Sequence, residues 1–160
     1  MPLTAPVAAA PGERVKPDMR LLGLLALGHL VIDTNQGSLP AILPFLRSAL
    51  DLSYAATGTI VLMANVTSSL TQPLFGYLAD RTARRWLLPL SVLLSSIGIA
   101  LVGLAPSYGM VLVLVLISGF GVAAFHPEGY RTATRVAGDR KETVLSIFST
   151  WGNIGISIGP

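Results

Sequence analysis

Residues 28–40 read "GHLVIDTNQGSLP", and the side chains in that stretch able to do chemistry fall on one side of a helix. At 100° per residue, His29, Asp33, Gln36 and Pro40 cluster within about 60° of one another. An imidazole and a carboxylate one turn apart can hydrogen-bond and hold one proton between them. Placing an aspartate at mid-membrane costs roughly 2.5–3.5 kcal/mol on insertion scales, so it faces a partner or a water-filled cavity. Two readings stand: a buried structural pair that locks this helix to its neighbours, and a cavity group that takes up and releases a proton.

A second polar stripe lies in "NVTSSLTQP", where Asn65, Ser69 and Gln72 share one side of a helix. Such groups either bond between helices, at about 0.6 kcal/mol each, or line a cavity; Asn65 and Gln72 are the stronger cavity candidates because amides are harder to leave idle. A third cluster lies in "SGFGVAAFHPEG". Pro127 removes a backbone bond there and disfavours a regular helix around His126. His126 and Glu128 fall on opposite sides of an ideal helix, so at most one faces a cavity unless Pro127 distorts it. Glu128 can instead pair with Arg131, three residues on.

These groups do not make an enzyme. H-E-x-x-H and G-x-S-x-G are both absent, and without cysteine there is no thiolate nucleophile or ligand. Two histidines and Asp33 lack a thiolate or a second carboxylate at ligand spacing, so neither a metal nor another cofactor is expected. No catalytic residue is assigned.

The elements that must position these side chains are apolar. Of 160 residues, 52% are apolar and 12% charged, with a mean hydropathy of +0.67; a soluble domain carries about 25% charged residues. The sequence pI is near 9.7, but the charges sit between apolar runs with few aromatics among them, which argues against a nucleic-acid partner. The expectation is an all-α membrane protein with about five transmembrane helices, near 21–46, 54–78, 86–105, 109–133 and 143–160, each about the 20 residues a bilayer requires. Short connections predict that neighbouring helices pack antiparallel.

Ten of the eleven lysines and arginines fall before helix one, between helices two and three, or between helices four and five; only Arg47 falls on the other side. That asymmetry predicts a multi-pass protein of the cell membrane with a cytoplasmic N-terminus. Residues 1–20, proline-rich and without a long apolar core, read as a disordered cytoplasmic tail. The run "WGNIGISIGP" stops inside an apolar helix without a polar flank. Residues 21–160 therefore read as an incomplete N-terminal transmembrane half of a longer protein.

The stretch "GYLADRTARRWLL" resembles the loop between helices two and three of the major facilitator superfamily. Gly76, Leu78, Asp80, Arg81, Arg84 and Arg85 occupy the matching positions. The resemblance implies a cytoplasmic gating loop that helps latch one conformational state, with Asp80 pairing to cations on a neighbouring element. "SGFGVAAF" is similar to the family's fourth-helix motif and "GNIGISIGP" to the start of its fifth-helix motif, common in antiporters. One departure is Val115, where the fourth-helix motif has an arginine. Taken together, "GHLVIDTNQGSLPAILPFL", "SSLTQPLFGYLADR", "GVAAFHPEG" and "SIFSTWGNIGISIGP" resemble the branch named for fosmidomycin resistance.

That likeness implies five helices of a six-helix half-bundle, completed by a missing C-terminal half. It also implies proton-driven efflux of a small molecule, an antibiotic or a metabolite, by alternating access. On that reading His29, Asp33, Gln36, Asn65, Gln72 and one of His126 and Glu128 serve proton coupling or the cavity, with protons and lipid as the other partners. The alternatives are an uptake symporter of the same fold and a membrane protein that transports nothing.

Overall fold

The computed structural model describes residues 15–81 and 86–160, without the side chains of 79–81. The described residues form five α-helices and no strand: α1 (Met19–Ala49), α2 (Tyr54–Arg81), α3 (Leu87–Val102), α4 (Tyr108–Val136) and α5 (Lys141–Ile158). By length and composition alone, α4 is the one helix among them apolar enough to cross a membrane, with a mean hydropathy of 2.2. The shorter α3 is also apolar, at 16 residues. The long helices α1 and α2 carry the polar stretches quoted above, which lower their average hydropathy.

Chain order does not set the packing. Among the described residues α1 packs mainly on α5, and α4 mainly on α3 and α2, while α1 meets α2 and α4 meets α5 only marginally. Of the sequence neighbours, α3 and α4 thus pack closely, whereas α1 and α2 do not. Small residues explain the choice, because backbones approach only where side chains are absent. A Cβ on Gly121 of α4 would sit 2.6 Å from the Ser95 nitrogen of α3, and one on Gly119 would sit 3.0 Å from Thr67 Cβ of α2. On α5, Gly155 lies directly against the Leu30 carbonyl of α1.

Two apolar clusters flank the polar stretch of α1. One gathers Leu22, Leu25, Ile32, Phe125, Val144 and Phe148; the other gathers Leu39, Leu46, Ile60, Val102, Val111 and Val115. The polar groups sit where the two meet.

Two expectations need correction. Residues 15–20 are not part of a disordered tail: Asp18 caps α1, its carboxylate accepting from the Arg20 and Leu21 amides at 3.1 and 3.0 Å. The Asp18 amide also donates to the Val136 carbonyl at 2.9 Å, and the Asp139 amide to the Val15 carbonyl at 3.1 Å. Residues 1–14 lie outside the described residues. Pro127 does not break α4, which runs unbroken to Val136. A proline withholds one amide only, and membrane helices tolerate it when neighbouring groups satisfy the freed backbone.

Candidate functional site

The sequence places His29 one turn before Asp33, and packing adds a third member. His29 Nε2 lies 3.3 Å from Asp33 Oδ2, and His126 Nε2, from α4, lies 3.2 Å from Asp33 Oδ1. One carboxylate thus sits between two imidazoles.

The far sides of both rings are already committed. His29 Nδ1 is 2.9 Å from the Phe148 carbonyl of α5, and His126 Nδ1 is 2.9 Å from the Val122 carbonyl one turn back. A carbonyl oxygen only accepts, so each Nδ1 carries a hydrogen and donates it. In a neutral ring, Nε2 then holds a lone pair and nothing to give. Both lone pairs point at carboxylate oxygens. With no added proton, both contacts are lone pair against lone pair; one proton turns one contact into a hydrogen bond, and two protons turn both. The cluster's charge runs from −1 through 0 to +1 over those steps.

Exposure is graded across the three side chains: 21% for His126, 13% for Asp33 and 4% for His29. His126 also lines an open groove with Ser69, Gln72, Gly76 and Tyr130. His29 is the closed end, stacked on the Phe148 ring at 4.2 Å between centroids, with Phe125 and Tyr130 nearby. Gly152 of α5 caps the cluster with bare backbone: a Cβ there would sit 2.6 Å from both Asp33 Oδ2 and His29 Nε2.

The ligand atoms of the three residues lie within 4.8 Å of one another, close enough for them to be weighed as a metal site. Each Nε2 nevertheless addresses a different carboxylate oxygen. That pairwise arrangement suits bridging protons better than one shared ion.

The other candidates divide between places. Gln36 and Asn65 line a separate cavity of about 290 Å³ walled by all five helices, α5 contributing Ile156. Asn35, which the sequence reading passed over, also lines it and ties α1 to α3 by donating to Ser96 Oγ at 3.0 Å. Gln72 lines the groove beside His126. Glu128 lines neither space: it is buried and paired with Arg131, whose Nη2 lies 2.7 Å from Oε2 and whose Nε donates to the same oxygen at 3.1 Å. Of His126 and Glu128, the histidine therefore joins Asp33.

Gly76 faces Pro127 of α4. Asp80 and Arg81 end α2, but their side chains lie outside the described residues, as do Arg84 and Arg85 altogether. Sequence reasoning also missed the Phe148 carbonyl and Gly152. The second had a signal, since Gly152, Gly155 and Gly159 recur at helical spacing.

A family model described as Major Facilitator Superfamily matches residues 25–160. The "Fosmidomycin resistance protein" of Escherichia coli (strain K12) is 37% identical over 153 residues, covering 96% of this chain and 38% of that protein. The "Uncharacterized MFS-type transporter YfnC" of Bacillus subtilis (strain 168) is 33% identical over 159 residues, covering 99% of this chain and 38% of that protein. The chain thus spans well under half the length of these curated relatives. No solved structure matches it.

Proposed function

The chain belongs to the Major Facilitator Superfamily, a family of membrane transporters, and from that premise we propose that it forms most of the N-terminal half of a proton-coupled exporter of a small molecule. The observation that carries the reading is the His29–Asp33–His126 cluster, in which both Nδ1 hydrogens are committed to carbonyls. Every hydrogen bond to the carboxylate then requires an added proton. A group whose charge changes by binding protons can shift the balance between inward-open and outward-open states, which is what a proton gradient needs in order to do transport work.

The groove supplies the route on this reading. Protons enter at His126, reach Asp33 and stop at His29. Gln36 and Asn65 belong to the small-molecule cavity, and Gln72 to the groove. The N-terminus is cytoplasmic, and a second transmembrane half supplies the other wall of the cavity. Gly76, Asp80, Arg81, Arg84 and Arg85 form the cytoplasmic gating loop that the family resemblance implies. Export rather than uptake is favoured by the similarity to the fosmidomycin resistance protein of Escherichia coli.

The test is transport by the full-length protein in inverted membrane vesicles. A gradient acid inside should drive accumulation of an exported compound, and collapsing the gradient should abolish it. Movement in the same direction as the protons would replace export by uptake. Identical fluxes with and without the gradient would remove proton coupling altogether.

A further inference from the structure

What closes the inner end of the cluster can be read from the rings around His29, on the premise that the cluster carries protons. Phe125, His126, Tyr130 and Phe148 surround the imidazole, with centroids 5.9, 5.3, 6.1 and 4.2 Å from its own, and the backbone of Gly152 lies against it. Phe125 and Phe148 are buried in the core. The other two rings, His126 and Tyr130, stand one turn apart on α4, and both line the open groove. Tyr130 is 40% exposed, while the His29 side chain is 4% exposed. A half-open phenol ring thus stands between the groove and a buried imidazole. The ring is also held. The Tyr130 and Ser149 hydroxyls lie 3.0 Å apart across the seam between α4 and α5, and the ring packs edge-on against Phe148 at 5.0 Å between centroids. Because α4 and α5 meet only marginally, the ring can swing out without unpacking two helices. Ser149 directly follows Phe148, whose carbonyl accepts the Nδ1 hydrogen of His29. The bond that holds the ring and the bond that holds the imidazole therefore use adjacent residues of α5.

We propose that Tyr130 is a positioning residue for proton movement: its ring, held shut by Ser149, walls His29 off from the groove, so that His29 exchanges protons through Asp33 alone. The barrier lies inside the fold, between the groove and His29, and whatever covers the mouth of the groove lies beyond it. Without the ring, groove water reaches His29 directly, and the imidazole loads and unloads irrespective of His126 and Asp33. With the ring in place protons pass in one order, and the charge of the inner imidazole follows the state of the carboxylate. A bond between two neutral hydroxyls favours the closed ring by about two- to tenfold, enough to keep it mostly shut and little enough to let it swing.

The test is chemical access, read without any transport. Diethyl pyrocarbonate carbethoxylates unprotonated imidazole. Peptide mass spectrometry on the full-length protein in lipid nanodiscs, at low conversion, gives the rates at His29 and His126 separately. The unchanged protein should react at His126 and far more slowly at His29. Tyr130→Phe keeps the ring but loses the hydroxyl, and should raise the ratio of the His29 rate to the His126 rate by about two- to tenfold. Ser149→Ala should do the same, and the two together should do no more than either alone, because they remove one and the same bond. Tyr130→Ala removes the wall itself and should raise the ratio further.

Equal rates at the two histidines of the unchanged protein overturn the inference. So does an unreactive His126, a ratio that none of the variants moves, or effects of the two hydroxyl variants that multiply. A variant that merely loosens the fold speeds both histidines alike and leaves the ratio where it was, so that outcome also counts against Tyr130. If Tyr130→Ala does not assemble, the two hydroxyl variants decide. The vesicle assay stays free to decide the transport reading by itself: gradient-driven export keeps that reading whether or not Tyr130 walls off His29.

Discussion

His126 Nε2 lies 3.2 Å from Asp33 Oδ1, so the most exposed member of the cluster reaches across from α4 to a carboxylate on α1. His126→Gln removes the member that meets the groove, and Asp33→Asn removes the anion both imidazoles address. Both changes should reduce gradient-driven transport to background while the amount of protein in the membrane stays unchanged, as read by quantitative blotting beside the vesicle assay. Equal loss of abundance and transport would mark the cluster as a structural clamp.

Gly152 gives a test of packing against the cluster. An added methyl would press on both Asp33 and His29, so Gly152→Ala should destabilise by about 1–3 kcal/mol, as overpacking does elsewhere. Gly58, inside α2, has nothing within 4 Å. Gly58→Ala should therefore be neutral or stabilising by about 0.5–1 kcal/mol. Thermal unfolding in detergent ranks the two, and a harmless Gly152→Ala would refute the packing.

Glu128 and Arg131 behave as a pair. Arg131→Met leaves a buried carboxylate without its cation, keeping only the Thr132 hydroxyl at 3.4 Å, and should cost about 3–5 kcal/mol. Combining it with Glu128→Gln should recover most of that loss, because the charge in need of a partner is gone. A double variant no more stable than the single would show that Arg131 holds something else.

Gly138 has a φ of +53°, and a Cβ on it would meet the Val15 carbonyl. Gly138→Ala should cost about 1–2 kcal/mol locally from the left-handed backbone alone. The visible effect should be faster hydrogen exchange at the Asp18 and Asp139 amides, which donate to Val136 and Val15. Unchanged exchange there would mean the segment is held by other contacts.

Apolar run lengths announced the helices, because five stretches of this length have few other places to go. The i, i+4 spacing likewise announced the His29–Asp33 contact, which is local to α1. His126 was not legible in the same way. A helical wheel separates it from Glu128 but says nothing about which lies against α1, and that depends on how α4 sits among the four other helices. Pro127 misled for a related reason: the rule concerns one missing amide, whereas continuity of α4 depends on its surroundings. The packing of α1 on α5 was hidden too, since it follows the glycines rather than the order of the chain.

Those glycines also set how freely the gene can drift. Gly152 meets side chains of α1, while Gly155 and the capping Gly159 meet the Leu30 and Thr34 carbonyls, and main-chain atoms cannot be exchanged by substitution. A compensating change on α1 can relieve a crowded side chain, but none can shrink a carbonyl. In a saturation library selected for function, Gly155 and Gly159 should therefore resist rescue by any second-site change on α1. The outward positions of α5, such as Trp151, Ile154 and Ile158, should accept almost any apolar letter.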